Sequence, residues 1–166
     1  NAALHYLARL ISAGDLDSIY RRMSVIAYED IGLANPTMGL KVNACINLCE
    51  LVGLPEARII LAETIIDMAL SPKSNSAYKA INEAFKDLES GYDYPVPRHL
   101  QNVHCDSTDS STENHQYKYP HSYPNHWVKQ QYLPDNIKNK KYYYPQENKN
   151  ETAFKNYRKK ITKETF

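Results

Sequence analysis

The sequence predicts a mainly α-helical protein, in which a bundle of about five helices precedes an irregular extension rich in proline and tyrosine. Up to Ser90, apolar residues recur at helical spacing in five segments joined by two to six residues. Glycine, proline and small polar residues stand where these segments begin and end. After Gly91 the composition changes, since residues 91–166 hold six of the nine prolines and ten of the fourteen tyrosines.

The first two predicted helices are bounded by a glycine and by aspartates. Gly14 can end the first helix, and Asp15 or Asp17 can cap the second through a side-chain oxygen. The apolar stripe of the first helix is Ala3, Leu4, Leu7, Leu10 and Ile11. The stripe of the second helix is Ile19, Met23, Ile26 and Ala27. This spacing predicts that each helix buries one face.

Three further helices follow. Asn35-Pro36 predicts the start of the third helix, Pro55 the start of the fourth and Ser74 the start of the fifth. The third stripe is Val42, Cys45, Ile46, Cys49 and Val52. The fourth is Ile59, Ile60, Ala62, Ile66 and Ala69, and the fifth is Tyr78, Ile81, Phe85 and Leu88. The short joints favour an antiparallel bundle.

Charge divides the chain where the composition does. Residues 1–90 hold 8 basic and 11 acidic residues, a net charge of −3, whereas residues 91–166 hold 12 basic and 8 acidic residues, a net charge of +4. We predict a helical bundle over 1–90 and a Tyr/Pro-rich segment over 91–166 that wraps over the bundle and buries ring faces. The polar run CDSTDSSTEN predicts a mobile loop near 104–115, and a last basic helix is expected from Asn150 to about Lys163.

The three cysteines, Cys45, Cys49 and Cys105, form no disulfide framework. Cys45 and Cys49 lie four residues apart on one helix face, where an intrahelical disulfide has poor geometry. We expect both to be small core side chains in a reducing cytoplasm. The histidines show no CxxC, HxxxH or HExxH pattern, so no metal site is predicted.

The stretch SVIAYEDIGLANP places Glu29 and Asp30 at a helix end, next to Gly32. Adjacent helical residues point about 100° apart, so the two acids do not converge as a catalytic pair. The helix dipole disfavours negative charge there, and a donor from Arg21, Arg22 or the following loop is expected to compensate. We predict that Glu29, Asp30 and Gly32 fix the turn, with Gly32 at positive φ. Asp30→Ala is then expected to cost about 0.5–2 kcal/mol.

A small hydrolase is the weakest functional alternative. Its polar groups would be Glu29 and Asp30, or Ser71 and Lys73. Helix-boundary signals around Lys73 favour a structural role for this stretch, or an anion contact made with the free N–H groups of a helix start.

A single-stranded nucleic-acid-binding module is the main alternative. Lysines interleaved with tyrosines and Trp127 in the second half could neutralise phosphates and stack on bases, although the rings could equally pack inward with solvated lysines. The candidate anion or DNA contacts are Lys73, Lys118, Lys129, Lys140 and Lys141.

The favoured function is self-association, because the third and fourth helices are apolar nearly all round. Such helices need cover on both sides, which a second copy of the chain can supply. The candidate interface residues are Val42, Ile46, Leu48, Leu51, Ile59, Leu61 and Ile65. The chain has no GxxxxGK[ST] phosphate loop, so no catalytic or cofactor-binding residue is predicted and the chain is not expected to be an enzyme.

Six segments, in this order, resemble the replication-associated recombination protein A family, bacterial relatives of the Werner helicase-interacting ATPase. They are AALHYLARLI, RRMSVIAYEDIGLANP, SPKSNSAYKAI, PVPRHL, YKYPHSYPNHWVKQQYLP and NKKYYYPQENKNE. Together they extend over nearly the whole chain. The segment VHCDSTDSSTENHQ departs from the family's pattern, so a family contact at that place is not carried over.

The resemblance implies a helical collar of the clamp-loader C-terminal type, cut from a longer AAA+ ATPase whose upstream module binds ATP and Mg²⁺. It also implies a homotetramer that acts at stalled replication forks in replication, recombination and repair. DNA binding through the full-length protein and association with single-stranded-DNA-binding protein are implied as well. With no apolar run of membrane-spanning length, we expect a cytoplasmic, nucleoid-associated protein without membrane contact.

Overall fold

The computed structural model describes residues 1–91, 94–101 and 117–162, and these residues contain six α-helices and no β-strand. The helices are α1 (Ala2–Ser12), α2 (Leu16–Ile26), α3 (Met38–Val52), α4 (Ala57–Leu70), α5 (Ser76–Glu89) and α6 (Lys149–Thr162). The predicted mainly α-helical class is confirmed. The loop predicted near 104–115 lies outside the described residues.

The start of α2 is capped by Asp15. Its Oδ1 accepts a hydrogen bond from the Ser18 N–H at 3.2 Å, which satisfies one of the free donors of the first turn. After Ile26 the helix widens into a π-helical turn, Ala27–Ile31, followed by a short 3-10 turn, Gly32–Ala34. The chain thus leaves α2 through two non-α turns.

The third helix begins later than predicted. Its first residue is Met38, whose N–H donates to the Asn35 carbonyl at 3.0 Å. The Asn35 side chain faces elsewhere, since its Nδ2 donates to the Ser71 hydroxyl at 3.1 Å. Asn35 and Pro36 therefore form a turn before α3 rather than its first residues.

The core lies between α1, α2, α3 and α4 and uses small or flexible apolar side chains. Its members are Leu7, Ile19, Met23, Ala27, Ile31, Met38, Val42, Cys45, Cys49, Ala57, Leu61 and Met68. The thiols of Cys45 and Cys49 are free and point at the α4 carbonyls of Ile60 and Ala57, with S···O distances of 3.9 and 3.8 Å. Burial raises the pKa of the Cys49 thiol to about 11. Both cysteines are core side chains, as predicted.

In α4 the structure buries a different face from the predicted one. Ala57, Leu61 and Met68 contact the core, whereas Ile59 and Ile66 of the predicted stripe are exposed. Because α4 is apolar nearly all round, periodicity alone could not select the buried face.

The predicted α5 stripe is present but is not buried. Tyr78, Ile81 and Phe85 are each about half exposed, while the polar Ser76 and Asp87 are buried on the opposite side. The stripe itself exists, but the described part of the chain does not cover it.

The segment from Tyr117 to Leu133 forms short 3-10 turns and does not bury its rings as predicted. Tyr119 remains 58% exposed and Tyr132 51% exposed. The Gln130 side chain holds the segment on itself through the main chain of Lys118, with hydrogen bonds of 3.0 and 2.8 Å. The predicted burial of ring faces is therefore wrong for these tyrosines.

Candidate self-association surface

The side of α3 and α4 that faces away from the core carries exposed aliphatic side chains. In α3, Leu48 and Leu51 repeat at helical spacing opposite the buried Val42, so the helix has two apolar faces. Leu51 and Leu70 are each 80% exposed and Ile59 is 73% exposed. We define the α3–α4 surface as Leu40, Leu48, Leu51, Ile59, Ile66 and Leu70.

The two helices of this surface are held together by more than apolar packing. The Lys41 ammonium of α3 pairs with the Asp67 carboxylate of α4 at 2.6 Å. The contacts of the Cys45 and Cys49 thiols with α4 carbonyls lie further along the two helices. Together with the ion pair, they fix how α3 and α4 align. Exposed aliphatic side chains that cluster on one surface are a common feature of contact sites, so this surface is a candidate for self-association.

The predicted interface residues divide into three groups. Leu48, Leu51 and Ile59 lie on the α3–α4 surface. Val42 and Leu61 are buried in the core of the single chain, so neither side chain is exposed for contact with a second copy. Ile46 and Ile65 are half-buried and pack against the core.

A second apolar face runs along α5. We define the α5 stripe as Tyr78, Ile81, Phe85 and Leu88. It points away from the rest of the described chain because polar contacts on the opposite side of α5 hold the helix at both ends.

The C-terminal end of α5 is held by Asp87. Its carboxylate accepts a hydrogen bond from the Tyr142 hydroxyl at 2.8 Å and pairs with the Lys140 ammonium at 2.6 Å. Lys140 and Tyr142 together hold the pKa of Asp87 below its usual value, and Asp87 raises the pKa of Tyr142.

The N-terminal end of α5 is held by Glu151 of α6, which is fully buried. Its Oε1 accepts hydrogen bonds from the hydroxyls of Ser76 at 2.5 Å and Tyr143 at 2.9 Å. Its Oε2 accepts from the Ser74 hydroxyl and the Asn148 amide, each at 2.5 Å. The carboxylate therefore joins the α4–α5 loop, the start of α5 and the segment before α6.

The pKa of Glu151 reflects two opposing effects. Burial raises it, but the four donors stabilise the charged form and bring the pKa below its usual value. Burial and the bond to Glu151 raise the pKa of Tyr143 to about 12.

Sequence reasoning missed Glu151, although a signal was present. Asn148 and Glu151 have the spacing of a capping box, and Asn148 Oδ1 accepts a hydrogen bond from the Glu151 N–H at 3.0 Å. The capping pattern explains this bond, but the serine donors come from a loop about 75 residues earlier, which no local pattern reveals.

The turn after α2 is held by main-chain atoms. The Asp30 carbonyl accepts a hydrogen bond from the Ser74 N–H at 2.8 Å, and Gly32 has the expected positive φ, +46°. A Cβ on Gly32 would lie 2.5 Å from the Ser74 carbonyl oxygen. Within the described part of the chain, the Glu29 and Asp30 side chains make no hydrogen bond or ion pair. The predicted side-chain donors to these acids are therefore absent there, and the main chain holds the turn.

Lys73 does not lie free at a helix start. Its ammonium donates to the carbonyls of Met68 at 2.8 Å and Ser71 at 2.5 Å, where a cation complements the C-terminal end of α4. Because the Ser71 hydroxyl instead accepts from Asn35, Ser71 and Lys73 do not form a nucleophile–base pair. The Lys73 ammonium thus contacts the C-terminal end of α4, and the predicted anion contact at this residue stays a prediction.

The other candidate lysines differ in their surroundings. Lys140 is paired with Asp87, and Lys129 also has a partner within the chain. Lys118 and Lys141 are exposed. The structure thus leaves fewer free cations in the Tyr-rich segment than the sequence suggested. No helix among the described residues is both long and apolar enough to cross a bilayer.

A comparison with protein families shows to which family this helical domain belongs. The family model described as MgsA AAA+ ATPase C terminal matches residues 1–162. The chain belongs to this family. The resemblance inferred from the sequence motifs is thereby confirmed, and this MgsA-type domain corresponds to the C-terminal domain of AAA+ ATPases.

Curated relatives of the MgsA-type domain are longer proteins. The chain is 56% identical over 164 residues to replication-associated recombination protein A of Bacillus subtilis, covering 98% of this chain and 39% of that protein. The protein of the same name from Escherichia coli is 34% identical over 148 residues, covering 87% and 33%. ATPase WRNIP1 of Dictyostelium discoideum is 32% identical over 147 residues, covering 86% and 17%. The chain therefore spans about two-fifths or less of these relatives.

Proposed function

We propose that this chain is the self-association domain of a DNA-dependent AAA+ ATPase that acts in replication, recombination and repair at stalled forks. In this proposal the domain assembles as a homotetramer. The observation that carries the proposal is the α3–α4 surface, a set of aliphatic side chains that the described residues leave exposed on two helices packed against each other.

The chemistry of the α3–α4 surface fits a second copy of the chain. Its six side chains are all aliphatic, so the gain on contact comes from removing apolar area from water, about 25 cal/mol per Å². The exposed charges of the Lys41–Asp67 pair on the same two helices balance, so this pair does not favour an acidic or a basic partner. Two copies that meet through the same face cover it on both.

ATP and Mg²⁺ belong, in this proposal, to the part of the longer relatives that this chain does not span. The chain has only five glycines and no GxxxxGK[ST] segment to hold a phosphate. We propose DNA and single-stranded-DNA-binding protein as partners of the longer protein, following the family resemblance.

Sedimentation of the purified chain tests the assembly. The wild type is expected to sediment as a tetramer at micromolar concentration. Leu51→Glu combined with Ile59→Glu places two charges in the proposed interface, where an unpaired buried charge is strongly unfavourable. We expect the dissociation constant to rise at least about 100-fold, which corresponds to about 2.7 kcal/mol.

The control is Asn156→Glu, which adds a single negative charge at an exposed position of α6. This variant should assemble like the wild type. A wild-type chain that sediments as a monomer at micromolar concentration would rule out the proposed function.

Binding of single-stranded nucleic acid is a second candidate function, and α6 favours it. Lys149, Lys155, Lys159 and Lys160 are exposed on this helix, whereas Glu151, its one acidic residue, is buried. Tyr157, 62% exposed, offers a ring on which a base could stack. This candidate differs from self-association because it requires a salt-dependent affinity for oligonucleotides.

A further inference from the structure

The α5 stripe is an apolar face that the α3–α4 surface does not explain. The stripe lies on a different helix from the α3–α4 surface and shares no residue with it. A groove of about 410 Å³ runs beside the stripe, and its walls are the stripe residues Tyr78 and Phe85 and the polar residues Lys79, Asn82, Glu83, Lys86 and Glu89. Each stripe residue except Tyr78 is 54–55% exposed, and Tyr78 is 46% exposed.

The orientation of α5 is set by specific contacts. Asp87 and Ser76 face the molecule and bind Lys140, Tyr142 and Glu151. Rotating the helix to bury its apolar stripe would break these polar contacts. The fold therefore presents the stripe to the outside as a fixed surface.

We propose that the α5 stripe packs against the α5 stripe of a second copy of this chain, in antiparallel orientation. This contact would be the second of two different two-fold interfaces in the tetramer, and the inference rests on the proposed function. One two-fold face gives only a dimer, whereas a tetramer with dihedral symmetry needs two different ones. The α3–α4 surface and the α5 stripe supply two such faces.

The spacing of the stripe fits a copy of itself. Tyr78, Ile81, Phe85 and Leu88 occupy the a and d positions of two consecutive heptads. In antiparallel register, Tyr78 lies opposite Leu88 of the other copy, and Ile81 lies opposite Phe85. Both pairs are centred on Glu83, so one register matches all four apolar residues at once.

The residues beside the stripe also favour a second copy. On one side, Ala77 and Ala84 are small and allow a second helix to approach closely. On the other side of the stripe, α5 carries two basic and two acidic residues, Lys79, Lys86, Glu83 and Glu89. Lys86 pairs with Glu83. Because these charges balance, the face does not select a strongly acidic or basic partner.

The size of the stripe predicts how stable a contact between two α5 helices would be. Four side chains per copy make a contact at or below the low end of stable interfaces, about 1,200 Å² of total buried area. The α5 pair should therefore be weak alone and form within an assembly that the α3–α4 surface already holds together.

Sedimentation of the Ile81→Glu, Phe85→Glu double variant tests the assignment. Both positions are exposed in the subunit, so the fold should persist, as circular dichroism can check. We expect the tetramer to become a dimer, with at least a 100-fold rise in the tetramer–dimer dissociation constant. Asn156→Glu serves again as the control.

The outcomes separate this inference from the proposed function. A variant that stays tetrameric, or one that falls to monomers, would overturn the α5 assignment while leaving self-association intact. A monomeric wild type would instead remove the proposed function, and the α5 contact with it.

Cysteine cross-linking tests the register independently, in a Cys105→Ser background that leaves only the two buried core cysteines. A mixture of Tyr78→Cys and Leu88→Cys chains should form a disulfide-linked dimer under mild oxidation. Either variant alone should not, because like residues lie roughly 15 Å apart along the helices at 1.5 Å per residue. Equal cross-linking of the mixture and of each variant alone would contradict the antiparallel register.

Discussion

At the residue scale, Glu151 shows how a buried charge can hold distant segments together. A buried carboxylate is unfavourable unless its oxygens are fully hydrogen-bonded, and here two serines, a tyrosine and an asparagine supply the donors. No buried polar side-chain atom among the described residues lacks a partner. Glu151 is thus compensated, and its loss would leave several buried donors without an acceptor.

Replacing Glu151 by glutamine should destabilise the fold. The amide removes one acceptor and the negative charge, and Asn148 Nδ2 cannot become an acceptor for it. We expect the free energy of unfolding at pH 7 to fall by about 1.5–3 kcal/mol, the range for hydrogen bonds to a charged group. Urea denaturation measures this, and Glu89→Gln, at an exposed carboxylate on α5, should leave the stability within about 0.5 kcal/mol.

The stability difference between the wild type and the Glu151→Gln variant should depend on pH. The pKa of Glu151 in the folded state lies below its ordinary value of 4.5, so its stabilisation is complete above about pH 4.5. As the pH falls through the lower folded-state pKa, the carboxylate takes up a proton and the stabilisation is lost. The stability difference between wild type and Glu151→Gln should therefore shrink below pH 4.5. A difference that stays constant down to pH 3 would contradict this role.

At the element scale, the joints between helices decide where the helices lie. The loop between α4 and α5 meets the turn after α2 through the Ser74 N–H and the Asp30 carbonyl. It meets α6 through the Ser74 side chain. One short loop thus positions three elements, and it also sets the direction of the α5 stripe. The SPKSNSA stretch is therefore a structural junction.

Gly32 should be the sensitive residue of this junction. Gly32→Ala adds a Cβ 2.5 Å from a carbonyl oxygen, at a φ that L-residues rarely adopt, and we expect a loss of about 2–4 kcal/mol. Gly53→Ala is the matched control, since Gly53 also has positive φ but no atom within 4 Å of the added Cβ. Thermal or urea unfolding should rank Gly32→Ala as clearly the more damaging of the two.

Asp30→Ala should have little effect, in contrast to the expectation from the sequence. The Asp30 side chain is exposed and makes no hydrogen bond or ion pair with another described residue, while the carbonyl that holds the turn is retained. We expect a change within about 0.5 kcal/mol. A loss of more than 1 kcal/mol would show that the carboxylate itself stabilises the turn.

At the scale of the whole molecule, apolar and basic surfaces lie on different elements. The apolar faces are on α3, α4 and α5, whereas α6 carries the exposed lysines Lys149, Lys155, Lys159 and Lys160. Self-association through the apolar faces of α3, α4 and α5 would leave the lysines of α6 accessible. The two candidate functions are therefore compatible. Tetramerisation would also place four copies of α6 in one particle, which raises its apparent affinity for a long polyanion.

Nucleic-acid binding, if α6 carries it, should depend steeply on salt. Changing Lys155, Lys159 and Lys160 to glutamine should reduce the slope of log affinity against log salt by about 2, since each phosphate contact to a single strand contributes about 0.7. Fluorescence anisotropy with a labelled 30-nucleotide single strand measures this. The comparison variant changes Lys118 and Lys141 to glutamine, and a larger effect from it would move the site to the Tyr-rich segment. Absence of binding by the wild type would contradict this candidate.

Several features of this protein follow from its sequence by itself. The helical class, the five segments before Ser90 and the cap at Asp15 depend on local spacing and on backbone preferences, which act within a few residues. The positive φ of Gly32 follows in the same way, because a helix end next to a glycine favours it. The family followed from six ordered motifs that span nearly the whole chain.

Only the tertiary structure decided which apolar faces are covered. A period of 3.6 residues identifies a face, but burial depends on what packs against it, so α4 turned a second face to the core and α5 turned its stripe outward. The same limit hid the role of Glu151, whose hydroxyl donors from α5 and its loop are about 75 residues away in sequence. The local sequence pattern determines which face each helix can bury. Contacts between distant segments determine which face it does bury, because the free energy of a buried polar group depends on its hydrogen-bond partners. Only the folded chain brings those partners together.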